Sequence, residues 1–451
     1  MAPRPVSPPG GPGPRVLVCA YACNPTLGSE NAVGWDWVLA IARHHETWVL
    51  TDTMNEPAIL ACLGQAPELA TRLHFCYVPH HPWHYDDRRR FWRWAELSPL
   101  RPLVHLSYLH WQRAAEANAR ALLTEVAPQL VHQLTFVGFR FPGRLWRLGL
   151  PFVWGPIGGL EDTPVALLGA MGWRGALYFG LRNVINALQR RWLSAPRQAA
   201  RAAAALLAAT SGNAALLRRC YGVDAQVLCE VTAPPLAPAI LWRAPDEPLR
   251  LAWSGAHIPR KALPLLLRAL AGLAPDLDWR LDIYGSGPRG AAWQRQAARL
   301  GLAPRCTWHG QVQRAEAISG LRRAHLFIIT SLQDLTSTVL LEAMSQGLPV
   351  LCPDHCGFPD VVTPAAGMRL PIERPATFVA ALRAALRRLA ADEPERRRLG
   401  AGALARAGEY DLAAKAEALR QVYQGVLATA DITGNPDGKP GGADALVTPI
   451  R

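Results

Sequence analysis

Short apolar runs rich in β-branched residues alternate along this chain with stretches of helical spacing, and the alternation occurs twice, on either side of a proline-rich break. RVLVCAY (15–21) leads through a Gly/Pro/Asn turn (22–29) into the helical pattern NAVGWDWVLAIARH (31–44) and then the run TWVLTD (47–52). QLVHQLTF (129–136), PFVWGP (151–156) and AALLAATS (204–211) continue the rhythm. A strand that feeds a helix and then another strand builds a parallel, doubly wound α/β sheet. The prolines of TAPPLAPAILWRAPDEP (232–248) oppose regular structure. Beyond them LRLAWSG (249–255), WRLDIYGSG (279–287), CTWHG (306–310), AHLFIITS (324–331) and LPVLCPD (348–354) read as a second set of strands. Helices fit between them at 262–273 and 339–346.

A chain of 451 residues is long for one core. The expected organisation is an N-terminal Rossmann-like domain (15–235), a linker (236–248) and a C-terminal Rossmann-like domain (249–428), with disordered tails at 1–14 and 429–451. Two such sheets leave a central cleft bordered by the carboxyl ends of their strands, where open α/β sheets bind ligands.

Half the residues are hydrophobic and 18% are charged, which excludes a disordered chain. The formal charge of +13, from 48 Lys+Arg against 35 Asp+Glu, favours an anionic partner. No recognition motif accompanies the basic residues, so nucleic acid is not expected. No run reaches the ~18 apolar residues of a membrane span, and MAPRPVSPPGGPGP lacks a signal peptide's apolar core. Nine cysteines without framework spacing fit reduced thiols and a cytoplasmic setting. Cys19 with Cys23, and Cys352 with Cys356 beside His355, lack the spacing of a zinc site, so no metal and no cofactor is expected. Two stretches interleave aromatics with arginines: 81–113, and 173–192 with Arg182, Arg190 and Arg191 on or near a polar side. Contact with the inner face of the cytoplasmic membrane is one expectation for them; helices packed on their own domain are the alternative.

The sharpest signal is SLQDLTSTVLLEAMSQGLPVLCPDHCGFPDVV (331–362). Asp334 lies eight residues before Glu342, which is expected to open a helix after a loop containing Thr336, Ser337 and Thr338. Carboxylates accept hydrogen bonds from sugar or ribose hydroxyls, and backbone amides at a helix start suit phosphates. In LAWSGAHIPRKALPLLLRAL (251–270), Arg260 and Lys261 occupy a strand–helix loop, where adjacent cations can neutralise a departing diphosphate. YGSGPRG (284–290) contains a G-x-G-x-x-G string, but Pro288 is awkward for a dinucleotide-binding turn.

Together these segments resemble retaining glycosyltransferases of family 4, which have the GT-B fold. The order acid, E-A-M, Q-G-x-P-V, C-G-x-x-D-V carries the resemblance most strongly, with the R-K loop and the G-x-G-P loop in support. The resemblance implies that Glu342 holds the donor's ribose hydroxyls and that Asp334 and the backbone of Thr336–Thr338 lie near the sugar and pyrophosphate. It also implies that Arg260 and Lys261 stabilise the leaving group and that Gly285 and Gly287 let backbone approach the donor. The sequence departs from the pattern at Asp334, where Glu is usual, at Thr336–Thr338 in place of Phe-Gly-Leu, and at Ala262 in place of Gly.

The N-terminal half matches more loosely. YACNPTLGSENAVGWDW (21–37) looks like the family's acceptor-side loop, with Gly28, Ser29 and Glu30 near the acceptor. A turn with Ser29 as helix N-cap is the alternative. His132 reads as a strand-end residue facing the cleft and near the sugar, with Thr135 as competitor, and Gly158 and Gly159 in WGPIGGLED form another glycine-rich strand end. The implied function is transfer of a sugar, with retention, from a UDP- or GDP-sugar to a glycan or lipid-linked acceptor in cell-surface polysaccharide or lipopolysaccharide synthesis. A nucleotide-sugar epimerase or phosphorylase on the same fold, or a degenerate membrane-bound assembly factor, are the rivals.

Overall fold

The computed structural model describes residues 13–80, 101–240, 242–244, 247–273 and 277–433, with backbone alone for 101–105 and 431–433. Most of the aromatic–arginine stretch, 81–100, lies outside the described residues, as do 1–12 and 434–451.

Thirteen strands form two wholly parallel sheets among the described residues. The first contains β1 (Gly13–Ala20), β2 (His45–Asp52), β3 (Leu73–Val78), β4 (Leu130–Thr135), β5 (Phe152–Ile157), β6 (Ala205–Ala208) and β7 (Gln226–Val227), in the order β3-β2-β1-β4-β5-β6-β7. The second contains β8 (Leu249–Ser254), β9 (Trp279–Tyr284), β10 (Cys306–Gly310), β11 (Leu326–Ile328), β12 (Val350–Pro353) and β13 (Gly367–Leu370), in the order β10-β9-β8-β11-β12-β13. The doubly wound expectation holds for both sheets. Strands β3, β7 and β13 are additions that apolar patterning did not pick out.

Continuous apolar runs follow from burial on both faces. Along β1, Val16, Val18 and Ala20 enter one core while Leu17 and Cys19 enter the core on the opposite face. In β8, Leu249, Leu251 and Trp253 point one way and Ala252 the other. Each sheet reverses strand order once, between β1 and β4 in the first and between β8 and β11 in the second. Loops leaving those strands diverge at the reversal and open a crevice.

Two expected boundaries shift. Helix Leu412–Thr433, placed by the sequence reading largely in the C-terminal domain, packs on the first sheet: Ala416, Leu419, Val422 and Tyr423 join the core that contains Val38 and Ile41. It is amphipathic, so it covers whichever apolar surface its connection reaches. Strand β1 begins at Gly13, inside the expected tail, and the final helix likewise runs to Thr433. Helix Gly172–Trp192 spans both units: Phe179 joins the second domain's core, whereas Asn186 and Arg190 bond Asp162 in the first.

Candidate active site

Between the sheets lies a cleft of about 810 Å³ lined by loops from both switch points. From the second domain, the loop after β8 brings Arg260 and Lys261, and the loop after β11 brings Asp334, Ser337 and Thr338. Asp334 grips both cations. Its Oδ1 accepts from Arg260 Nη1 at 3.2 Å, and its Oδ2 accepts from Lys261 Nζ. Burial alone would raise the Asp334 carboxyl, but Lys261 and then Arg260 outweigh it and hold the group at about 2. Lys261 also donates to Ser337 Oγ at 3.3 Å, and Arg260 to the Gln333 carbonyl at 3.0 Å. These cations are therefore fixed, half-hidden groups rather than solvated surface ones.

The backbone beside them gives the reason glycine is usual where this chain has Ala262. Ala262 has φ 45° and ψ 38°, the left-handed region that glycine enters freely and alanine only at a cost of about 1 kcal/mol. Alanine keeps the loop while accepting that strain.

Helix Thr338–Ser345 has no side-chain cap and its first residues border the cleft, which places its positive dipole end at the cavity. Glu342 sits in its second turn rather than opening it, because Ser337 at φ 74° delays the helix only until Thr338. Glu342 lines the cleft, and its Oε1 accepts from Arg314 Nε at 2.6 Å. Thr336 is not on the wall. It is buried, its backbone N–H and hydroxyl donating to the two oxygens of Glu230 at 2.9 and 3.1 Å. Glu230 lies between Cys229 and Val231, which join the second domain's core, and its carbonyl accepts from Trp37 Nε1 of the first domain, so this clasp fixes the loop before the helix at the junction of the two domains.

From the first domain, Gly28, Ser29 and Glu30 after β1, and Gly158 and Gly159 after β5, all border the cleft. Ser29 stands at the N-cap of helix Glu30–Ala42 at φ 58° and makes no side-chain cap bond, so the capping alternative does not describe it. Glu30 accepts a hydrogen bond from the Val137 backbone N–H, and burial pushes its carboxyl up to about 7. Leu335 of the second domain packs where a side chain at Gly158 would stand: a Cβ there would lie 2.7 Å from it.

Three sequence expectations are corrected by these positions. His132 does not face the cleft: it lies mid-strand in β4, fully buried. Its Nε2 donates to the Gly155 carbonyl at 2.8 Å, so Nδ1 accepts from the Tyr423 hydroxyl at 2.6 Å. Burial lowers its pKa to about 4. The competitor Thr135 is also enclosed, its hydroxyl accepting from Ala22 N at 3.0 Å. Gly285 and Gly287 do permit close backbone approach, but to the neighbouring 255–257 loop. A Cβ on Gly285 would meet the Gly255 carbonyl at 2.2 Å, and one on Gly287 the His257 carbonyl at 2.6 Å. They press the loop containing Gly255 and Ala256 against the cavity, and it is those two residues that line it.

Sequence reasoning missed Arg314, Glu230 and the cleft-facing role of Arg182. Arg182 projects from helix Gly172–Trp192 into the cavity beside Tyr178 and Phe179. Only helical phase, with Gly175, Phe179 and Asn186 as the buried inner side, could have pointed to it. Among the described residues no three His, Cys, Asp or Glu side chains form a metal cluster, and all nine cysteines are free thiols.

With this geometry in place, comparison with known proteins adds a family. Residues 242–406 match the model for glycosyl transferases group 1. That match takes in most of the C-terminal domain and about a third of the chain. The matched segment contains Arg260, Lys261, Asp334, Glu342 and the loop of Gly285 and Gly287. D-inositol 3-phosphate glycosyltransferase of Nocardia farcinica is 33% identical over 201 residues, 42% of this chain and 43% of that protein. The match thus spans less than half the length of that curated relative. Solved structures extend the likeness in fold beyond the matched segment to most of the chain. A sucrose-phosphate synthase from Thermosynechococcus elongatus superposes with TM-score 0.62 at 16% identity, over 92% of this chain and 100% of that one. An Anabaena protein in complex with UDP-glucose gives 0.56 at 14%, over 91% and 99%. A lipopolysaccharide outer core galactosyltransferase gives 0.60 at 13%, over 91% and 99%. At these identities the likeness establishes the GT-B fold.

Proposed function

We propose that the protein is a glycosyltransferase that moves a sugar from a nucleoside-diphosphate donor to a hydroxyl acceptor, with retention of anomeric configuration. The observation that carries this reading is the Arg260–Asp334–Lys261 triad set beside an uncapped helix N-terminus and Glu342 in one cleft. A nucleoside diphosphate needs those three things: cations for the charge that builds on the leaving oxygen, backbone donors for phosphate oxygens, and a carboxylate for ribose hydroxyls. Asp334 acts here by orienting the cations as well as by lying near the sugar.

The acceptor enters from the first domain's side, between Gly28–Glu30 and Gly158–Gly159. Approach of the two domains excludes water and limits donor hydrolysis. The departing diphosphate takes the acceptor's proton, its charge held by Arg260 and Lys261. UDP is the favoured leaving group, since a protein of the same fold is in complex with UDP-glucose, and a glycan or lipid-linked acceptor of cell-surface polysaccharide synthesis is the favoured class. Thermal unfolding with UDP, GDP and their sugars tests the reading. A bound nucleotide raises the midpoint by mass action, and Glu342→Ala should abolish the rise. A folded protein indifferent to every nucleotide would overturn it.

A further inference from the structure

We propose that the outer face of helix Gly172–Trp192 docks on an anionic lipid bilayer. Its inner side is fully committed. Gly175 packs on Pro259, Phe179 enters the second domain's core, and Asn186 and Arg190 bond Asp162. The helix therefore cannot roll to hide its other face. That face presents Trp173, Leu177, Leu181, Val184, Leu188 and Trp192, spaced three and four residues apart and between 41% and 73% exposed. Spacing of that kind puts them on one stripe of the helix.

Charge decides the occupant. From residue 163 to residue 223 the chain has eight arginines and no acidic residue. Arg174 and Arg191 lie exposed near the two ends of the stripe, and the Arg174 guanidinium sits 5.1 Å from the Trp173 ring. Tryptophan at both ends with arginine beside it suits the headgroup level of a bilayer, the indoles at the boundary and the guanidiniums on phosphates. A second copy of the helix would instead bring arginine toward arginine with no carboxylate on either helix to pair them. Arg182 projects from the same helix into the cleft. Docking would thus hold the cleft about one helix diameter, ~10 Å, from the bilayer. The proposal does not depend on the donor, but it favours an acceptor presented at a membrane surface.

Sedimentation of the full chain with vesicles tests it, using phosphatidylcholine alone and phosphatidylcholine mixed with phosphatidylglycerol. The wild type should pellet with the anionic vesicles at low salt and release as salt rises. Arg174→Ala with Arg191→Ala should weaken that binding more than about tenfold. Leu177→Glu with Leu188→Glu should abolish it. The double glutamate variant should keep the wild-type unfolding midpoint and wild-type response to UDP, so a failure of docking is read separately from a failure of the donor site. No pelleting by the wild type, equal pelleting with neutral vesicles, or full binding by the glutamate variant would each overturn the proposal. So would a wild-type dimer that the glutamate variant converts to monomer in analytical ultracentrifugation, which would assign the stripe to self-association.

Discussion

Replacing Asp334 by Asn should separate two effects that a simple binding role would join. The carboxylate lies between Arg260 and Lys261, with side-chain exposures of 14%, 22% and 10% respectively. Lowering the carboxyl from its ordinary 3.8 to about 2 corresponds to roughly 2 kcal/mol of folding free energy. Because the folded-state value is depressed, this contribution is complete above pH 4 and fades as the pH falls toward 2. Asp334→Asn should therefore unfold at urea or thermal midpoints reflecting a loss of about 2 kcal/mol at pH 7, a fall of roughly 5 °C for a domain of this size. The deficit should shrink to about half by pH 3. Asn cannot neutralise the cations, so an incoming diphosphate no longer competes with a protein carboxylate for them. Titration calorimetry should show UDP binding Asp334→Asn more tightly than wild type, and Lys261→Ala more weakly. Wild-type stability for Asp334→Asn, a deficit independent of pH, or UDP binding as weak as that of Lys261→Ala would refute the assignment of Asp334 as the cations' positioning partner.

Two other expectations concern the first domain. Tyr423→Phe removes the hydroxyl that donates to His132 Nδ1 and should cost about 1–2 kcal/mol in urea unfolding, while leaving turnover per folded molecule unchanged; a selective loss of turnover would return His132 to the chemistry. Glu30 has a folded-state carboxyl raised by burial to about 7, so its protonated form favours the fold below pH 4.5 and that advantage is lost as pH rises through about 7. Glu30→Gln should thus gain stability relative to wild type between pH 5 and pH 8, and a flat difference in midpoint across that range would contradict a buried Glu30.

Much of the second domain was legible because its signals are local. Arg260 and Lys261 adjoin one another after a strand, and Asp334 and Glu342 share one short segment, so motif order alone brought out all four. That one carboxylate clamps both cations was not legible, since Asp334 and Arg260 are 74 residues apart and meet only at the β8/β11 switch point. The glycines of YGSGPRG were legible as places of close backbone approach. What approaches them is set by the loop after β8, which the string itself does not encode. His132 failed for a related reason. Its run reads LVHQLTF whether the strand stops at His132 or passes through it, and pairing with β1 and β5 places it inside.

What the sequence determined by itself was the alternation of strands and helices, the break near residue 240, the parallel and doubly wound character of both sheets, and the second domain's charged motifs. Each is written in near-neighbour periodicity or spacing, where backbone geometry fixes the outcome. Only the tertiary structure decided which side of helix Gly172–Trp192 faces the cleft, that the last helix returns to the first domain, and that Thr336 is clasped by Glu230, 106 residues earlier in the chain. Those outcomes depend on how two separately folded sheets meet. An amphipathic helix specifies that it must bury a face, while the surface available to bury it is set by contacts distant in the chain.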